Sequence, residues 1–441
     1  MTDPAQQQET PADNSESAQA SAQTSILKNR NFRFLWAGQT VSTIGDQMSG
    51  LALPVLAVLM LNATEWQVGL MNAAGLSAFL LIGLPAGAWV DRWIKRRVMI
   101  WADVVRMLTV LSVPIVYFTG HLTMWYVIAT AAVMSVAAVF FDVSYQSVLP
   151  LMLPKQQMAQ ANSALETTAQ TSSVAGPAVI GFLLTVFKAP LLMFFDAFSF
   201  LVSWVSLAAM KVDETPSPKA ERRPLRKEIS EGVRFVVKHP LISRITATTS
   251  ISNLFSSATT TLIPILVLRT MQVPAPVYGL MFTSAAIGGL IGAVSAAKLG
   301  KLVGQGNLVI SSIALSSLAG FAFPIAAILN QPAVGVPLII AAEALIAFSG
   351  LVYNITQVSA RQALCPEHLL GRMNASIRFF VWGVMPISAL SAGALATAFG
   401  VIPVMLVASF GALTAVSFVF FSPLRGMRDI VEEGRKFQVA S

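Results

Sequence analysis

Between residues 82 and 106 the chain passes from one apolar stretch to the next through a turn too short and too charged to cross a bilayer. Gly83 and Gly87 lie in the first stretch. Asp91, Arg92, Lys95, Arg96 and Arg97 interrupt it, and a second apolar stretch starts at Val98. A transmembrane helix needs about 20 predominantly apolar residues, and both flanks are that long. The hinge therefore joins two antiparallel helices on one face of a membrane. Composition excludes a soluble domain: 55% of the chain is hydrophobic and 11% charged, against roughly 25% charged in an average soluble domain. The mean hydropathy of +0.68 agrees.

Twelve apolar runs of spanning length follow one another, near 34–61, 66–90, 98–119, 122–149, 160–187, 190–210, 241–269, 275–299, 307–329, 333–360, 370–398 and 401–421. They divide the chain into a polar N-terminal tail (1–30), a first six-helix bundle (31–210), a central loop (211–240), a second six-helix bundle (241–422) and a C-terminal tail (423–441). The tail is rich in Gln, Ser, Thr, Ala and Asp without periodicity, which predicts a solvated, disordered segment. It lacks the basic start and apolar centre of a secretory signal, so no cleavage is expected.

Charge placement predicts the orientation. With the N-terminus inside, all but three of the 29 Lys and Arg residues fall in the tails, in cytoplasmic loops or at cytoplasmic helix ends. The exceptions are Lys188 and Arg269 at the outer side and Arg106 within a span. Such asymmetry matches the positive-inside rule and places both termini in the cytoplasm of a multi-pass cell-membrane protein. The net charge of +8 is then a topology signal. Nucleic-acid binding is excluded as a reading because the basic residues are scattered over many loops. The largest basic segment, 211–238, carries Arg222, Arg223, Arg226 and Lys227 among Pro216, Pro218 and Pro224. It is expected to turn helical after Pro224 and to lie on the anionic inner leaflet. The one cysteine, Cys365, forms no intrachain disulfide and reads as a buried structural thiol.

The two halves repeat. A shift of 210 aligns Leu51–Leu56 with Thr261–Leu266, bringing Pro54 onto Pro264, and aligns Gly69 with Gly279. A shift of 212 aligns Pro154 with Pro366, Asn162 with Asn374 and Gly181 with Gly393. Prolines and glycines in register matter because they mark kinks and close helix approaches. The charged turn is not repeated: at a shift of 210, Asp91 faces Lys301, Arg92 faces Leu302, Arg96 and Arg97 face Gly306 and Asn307, and Asp103 and Arg106 face Ile313 and Ser316.

The spacing from Gly87 through Asp91, Arg92, Lys95, Arg96 and Arg97 resembles the loop 2–3 signature of the major facilitator superfamily, with Ile94 where that signature has a glycine. The resemblance implies an all-α membrane fold of twelve helices in two six-helix pseudo-repeats. It also implies a cytoplasmic latch between the halves. Further stretches resemble the branch that holds macrolide-efflux proteins and enterobactin exporters. These are Ser42–Asp46, Leu149–Pro154, Ala161–Ala164, the helix-5 motif Gly176-Pro177-x-x-x-Gly181, Cys365–Ala375 and Trp382–Pro386.

Six carboxylates fall within the spans, and each costs about 2.5–3.5 kcal/mol at a helix centre. Asp103 and Arg106, at i and i+3, read as a structural ion pair. Asp142 reads as part of the latch, within reach of Arg92 or Lys95. Glu166 and Asp196 lie near helix starts and call for no special role. Asp46, about 18 Å into helix 1, and Glu343, in helix 10, are the proton-coupling candidates; the alternative is a protonated acid hydrogen-bonded across a helix interface. The resemblance implies that helices 1, 4, 7 and 10 line a central cavity. Gln39, Gln47, Met48, Asn253, Phe255, Tyr353, Asn354 and Gln357 are the candidate cavity residues. An apolar wall with scattered amides suits a large amphipathic substrate.

His121, His239 and His368 lie in different loops, so no metal or nucleophile cluster forms, and no phosphate-binding glycine loop is present. The chain reads as no enzyme and as needing no cofactor. The expectation is a monomeric secondary transporter exporting hydrophobic drugs, macrolides or siderophore-like molecules in exchange for protons. A lipid flippase or a non-transporting receptor of the same fold is the alternative, and direction of transport is left open.

Overall fold

The computed structural model describes residues 26–90, 92–212, 214, 225–366 and 369–434. Asp91, His368 and the proline-rich part of the central loop lie outside these residues. A short 3-10 turn (Ile26–Lys28) precedes α1 (Arg30–Val55), which begins where the Asn29 side chain accepts from Phe32 N at 3.1 Å. There follow α2 (Glu65–Val90), α3 (Lys95–Phe118), α4 (Met124–Met152), α5 (Lys155–Val186), α6 (Ala189–Ala209) and α7 (Leu225–Lys238). The remainder comprises α8 (Pro240–Pro264), α9 (Ala275–Val303), α10 (Gln305–Ala319), α11 (Ala322–Leu329), α12 (Pro332–Leu364), α13 (Leu370–Phe399), α14 (Val401–Phe420) and α15 (Ile430–Gly434). Among the described residues there is no strand.

Among the described residues, eleven segments are long and apolar enough to span a membrane. The run expected over 160–187 is helical as α5, 32 residues long. Its first half is polar, with Gln157, Gln160, Asn162, Ser163, Glu166, Thr167 and Thr168. The run expected over 307–329 is one span broken into α10 and α11 at Gly320.

Helices α1–α6 pack chiefly on one another, as do α8–α14, and two seams join the groups: α2 on α13 and α5 on α9. At 210 residues' separation the same local structure recurs. After Pro54 and after Pro264, whose missing N–H leaves a carbonyl one turn back unbonded, the helix widens into single π-helical turns, Leu56–Met60 and Ile265–Thr270. Two residues beyond each turn stands a residue with left-handed backbone, Asn62 (φ 50°) and Gln272 (φ 53°).

Both seams close near these turns, at the end of the bundle away from the basic loops. A Cβ on Gly69 would lie 2.9 Å from Gly393 Cα, and one on Gly279 would lie 2.7 Å from Gly181 Cα, so α2–α13 and α5–α9 meet backbone to backbone. Arg269 joins the groups there, with Nη1 3.4 Å from Glu65 Oε1 and a second hydrogen bond to Ala63 O. Thr397 Oγ1 accepts from Trp66 N at 3.1 Å. The largest apolar cluster lies at this end and draws residues from both groups, including Leu56, Met193, Leu266 and Met405.

A buried charge cluster beside two clefts

Gly45 is where the site begins. A side chain there would collide with Ser199 Oγ and Asp196 Oδ1, so glycine lets α6 close on α1. That closure puts Ser49, one turn from Asp46, against Asp196. Asp196 is fully buried and accepts hydrogen bonds from Ser49 and, at 3.2 Å, from Ser199. A buried carboxylate held by hydroxyls is a different object from the helix-end acid its position in the sequence suggested.

Arg106 reaches into the same space from α3. Its Nη2 donates to Asp46 Oδ1 at 2.8 Å, and Nη1 lies 3.7 Å from Asp103 Oδ1. Its guanidinium carbon stands 4.2 Å above the Phe200 ring and 5.5 Å from the Phe141 ring. Planar guanidinium stacks on aromatic faces and stays charged, so it suits a dry site surrounded by acids. The Arg106 side chain is 9% exposed and that of Asp103 0%, whereas that of Asp46 is 41% exposed. Asp46 is thus the one member of the trio open to solution. The expected Asp103–Arg106 pair is present as a longer contact within a larger cluster, and Asp46 has a cation supplied by another helix.

Asp142 lies within the fields of Arg106, Asp46 and Arg378, the last from α13. Among the described residues no ion pair joins it to Arg92 or Lys95. Lys95 N and Arg96 N donate to the two carboxylate oxygens of Glu214, at 2.7 and 3.0 Å, and the Arg96 side chain donates to Leu207 O and Ala208 O at 2.8 and 2.6 Å. The start of α3 is thereby tied to the end of α6 and to the central loop. A Cβ added at Gly87 would meet none of the described residues within 4 Å, and Asp91 lies outside the described residues.

Two clefts run along α1 and α5. One, about 530 Å³, is lined by Trp36, Gln39, Thr43, Tyr145 and the exposed Glu166. The other, about 280 Å³, is lined by Ile44, Met48, Thr171, Gly176 and Ile180. Gln39 and Met48 therefore face open space. Gln47 packs on Gly176, where a Cβ would come 3.0 Å from Gln47 Cγ, and Pro177 and Gly181 of the same motif are buried, with Gly181 on the α9 seam.

The candidates of the second group separate differently. Asn253 Nδ2 donates to Val381 O at 3.1 Å, and the Phe255 ring fills the space over Gly411, so both serve the packing of α8 on α13 and α14. The Tyr353 hydroxyl pairs with Thr249 Oγ1 at 2.7 Å, and buried Gln357 donates to Asn354 Oδ1 at 2.9 Å. Of these five, Asn354 alone is exposed. Tyr353 and Gln357 are buried and Asn253 and Phe255 half-buried, because position on a helix does not say which face the neighbouring helices cover. Glu343 is partly buried on α12, in the electrostatic reach of the fully buried Tyr278 of α9.

An all-helical membrane bundle with two glycine-crossed seams and an intramembrane charge cluster defines a polytopic transporter of the major facilitator type. The chain belongs to the transmembrane secretion effector family of that superfamily, whose model matches residues 21–438. It is 25% identical over 397 residues to the multidrug efflux pump Tap of Mycolicibacterium fortuitum, covering 86% of this chain and 93% of that protein. It is 25% identical over 366 residues to the enterobactin exporter EntS of Escherichia coli, covering 79% and 82%. The match to macrolide efflux protein A of Streptococcus pyogenes, 24% identical, spans 41% of this chain and 44% of that protein; that to the transporter YfiS of Bacillus subtilis spans 47% and 49%. Among solved structures, the nucleoside transporter NupG superposes with a TM-score of 0.72 at 11% identity, over 88% of this chain and 99% of that one. A bacterial ferroportin homologue superposes at 0.69 with 17% identity, over 89% and 100%.

Proposed function

We propose that this chain is a proton-coupled exporter of hydrophobic or amphipathic small molecules, with both termini and the basic loops on the cytoplasmic side. The observation that carries the coupling is the pairing of a solvent-open Asp46 with a buried Arg106. A proton arriving at Asp46 removes one partner of the ion pair, and the freed guanidinium turns to Asp103 3.7 Å away. Loss of the proton restores the Asp46 contact. One helix-to-helix bond between α1 and α3 is thereby made or broken by protonation, a differential interaction of the kind that shifts a two-state equilibrium. The export reading is supported by relatives named as efflux pumps and exporters. The amphipathic substrate class is supported by the clefts along α1, which mix Trp36, Ile44 and Met48 with Gln39 and Thr43.

The test is accumulation of a panel of dyes, macrolides and catecholate siderophores in cells expressing the protein, with and without a protonophore. Lowered accumulation that the protonophore abolishes supports the reading. An expressed, membrane-inserted protein that changes the accumulation of none of them, or lowers it equally with the protonophore present, overturns it.

A further inference from the structure

On the outer face of the first group, α3 and α4 leave between them a groove of about 850 Å³ that none of the preceding chemistry uses. Its wall is apolar: Trp101, Val105, Val133, Val136 and Phe140 line it, and the first four are exposed. Its mouth, at the end carrying the basic loops, is formed by Arg92, Trp93 and Arg97. At the start of α3, Glu214 takes Lys95 N and Arg96 N, and the Arg96 side chain takes two carbonyls of α6. The side chains of Arg92 and Arg97 are exposed and have no hydrogen-bond or ion-pair partner among the described residues.

An exposed apolar groove of this size on a membrane-spanning helix pair lies against acyl chains. The two exposed guanidinium groups at its mouth stand at headgroup depth. Guanidinium matches phosphate oxygens bidentately, and Trp93 and Trp101 suit the interface between headgroups and chains. We propose that this groove seats one anionic phospholipid of the adjoining leaflet, its phosphate held by Arg92 and Arg97 and one acyl chain laid between α3 and α4. The lipid supplies a counter-charge that none of the described residues provides to these two side chains. The site is distinct from the α1–α5 clefts and does not depend on what is transported.

The full-length protein, equilibrated in nanodiscs containing equal phosphatidylglycerol and phosphatidylcholine, is released and the lipids it retains are counted by native mass spectrometry. Phosphatidylglycerol is retained preferentially. R92Q/R97Q lowers that retention by about thirtyfold, the effect of two basic residues near an anionic surface, while K298Q/K301Q, which removes two exposed basic residues elsewhere at the same end, leaves it intact. V136W, which fills the groove, also lowers it with both arginines present; V133W replaces V136W if the latter does not purify as a monodisperse species. Equal retention of the two lipids overturns the proposal, as does full retention in R92Q/R97Q. Equal loss in K298Q/K301Q shows a diffuse surface field instead, and undiminished retention in the groove-filling variant shows a headgroup contact without a seated chain; either also overturns it.

Discussion

Arg106 of α3 and Asp46 of α1 form the shortest ion pair of the buried cluster, 2.8 Å from Nη2 to Oδ1, with one partner dry and the other open to solution. Asp103 and Asp196, both fully buried, lie in the field of the same guanidinium. Removing the cation leaves the acids without it, and breaking a buried pair from one side costs about 3–5 kcal/mol. Arg106→Gln is therefore expected to unfold far more readily than the parent in a detergent thermal ramp, and Asp103→Asn added to it is expected to recover part of the loss. A variant as stable as the parent would remove Arg106 from its central place.

Neutralising Asp46 separates coupling from carriage. Asp46→Asn mimics the protonated form permanently, so downhill exchange of substrate in proteoliposomes is expected to persist while export driven by a pH gradient is lost. Glu343→Gln, on α12 and away from the cluster, is expected to retain gradient-driven export and to change only apparent affinity. Uphill export by Asp46→Asn would move the coupling acid elsewhere.

Glu214 is expected to act as a helix cap. Its carboxylate accepts from the first two N–H groups of α3, and loss of a capping acceptor costs about 0.5–2 kcal/mol. Glu214→Ala is expected to lower stability by that amount and to raise protease sensitivity at the turn before Lys95, with Glu214→Gln retaining part of the effect.

His239 predicts a pH response outside the membrane spans. Its Nδ1 accepts from Leu241 N and Ile242 N at 3.3 and 3.4 Å, which caps α8, and burial lowers its affinity for a proton below the ordinary value of 6.5. Because the folded state resists protonation, the contribution to stability is complete above about pH 6.5. It declines as pH falls through that value, and levels off once the folded histidine also protonates. Hydrogen exchange at Leu241 and Ile242 should accelerate over that range, and His239→Asn, which keeps a capping acceptor, should abolish the dependence.

Orientation is testable with introduced thiols. Burial pushes the Cys365 thiol up to about 11, so the native cysteine is a quiet background at neutral pH. Lys188→Cys, on an exposed position at the end away from the basic loops, should react with an impermeant maleimide on intact cells. Lys301→Cys should react only after lysis. The opposite pattern would invert every assignment of side.

How much of this was legible beforehand follows the range of the interaction. The apolar runs and the turn at Asp91–Arg97 are local, and they carried the class of fold and the family. Pro54 and Pro264 marked matching turns because a missing N–H acts where it sits. The charge cluster is not local. Nothing on helix 1 neutralises Asp46, and its cation comes 60 residues later from another helix. Asp196 looked like a helix-end acid because its depth is set by Gly45, which lets two helices close. Asp142 is read onto the basic turn by depth alone; the fields it lies in come from Arg106, Asp46 and Arg378 on three other helices. In the second group, Phe255 and Tyr353 have the composition of a cavity wall and the positions of packing residues.

The glycine crossings at the closed end carry a mechanical consequence. Interlocked side chains slide only by leaving their rotamer wells, whereas two bare backbones touching along a line can roll. Gly69 on Gly393 and Gly181 on Gly279 give the protein two such lines, and one half can tip over the other on them as on a pair of bearings. A side chain planted there is a wedge: with Ala389 O only 2.7 Å from a Cβ on Gly69, Gly69→Val should prise that end apart and speed thiol labelling of Ala63→Cys, a position the parent keeps fully buried.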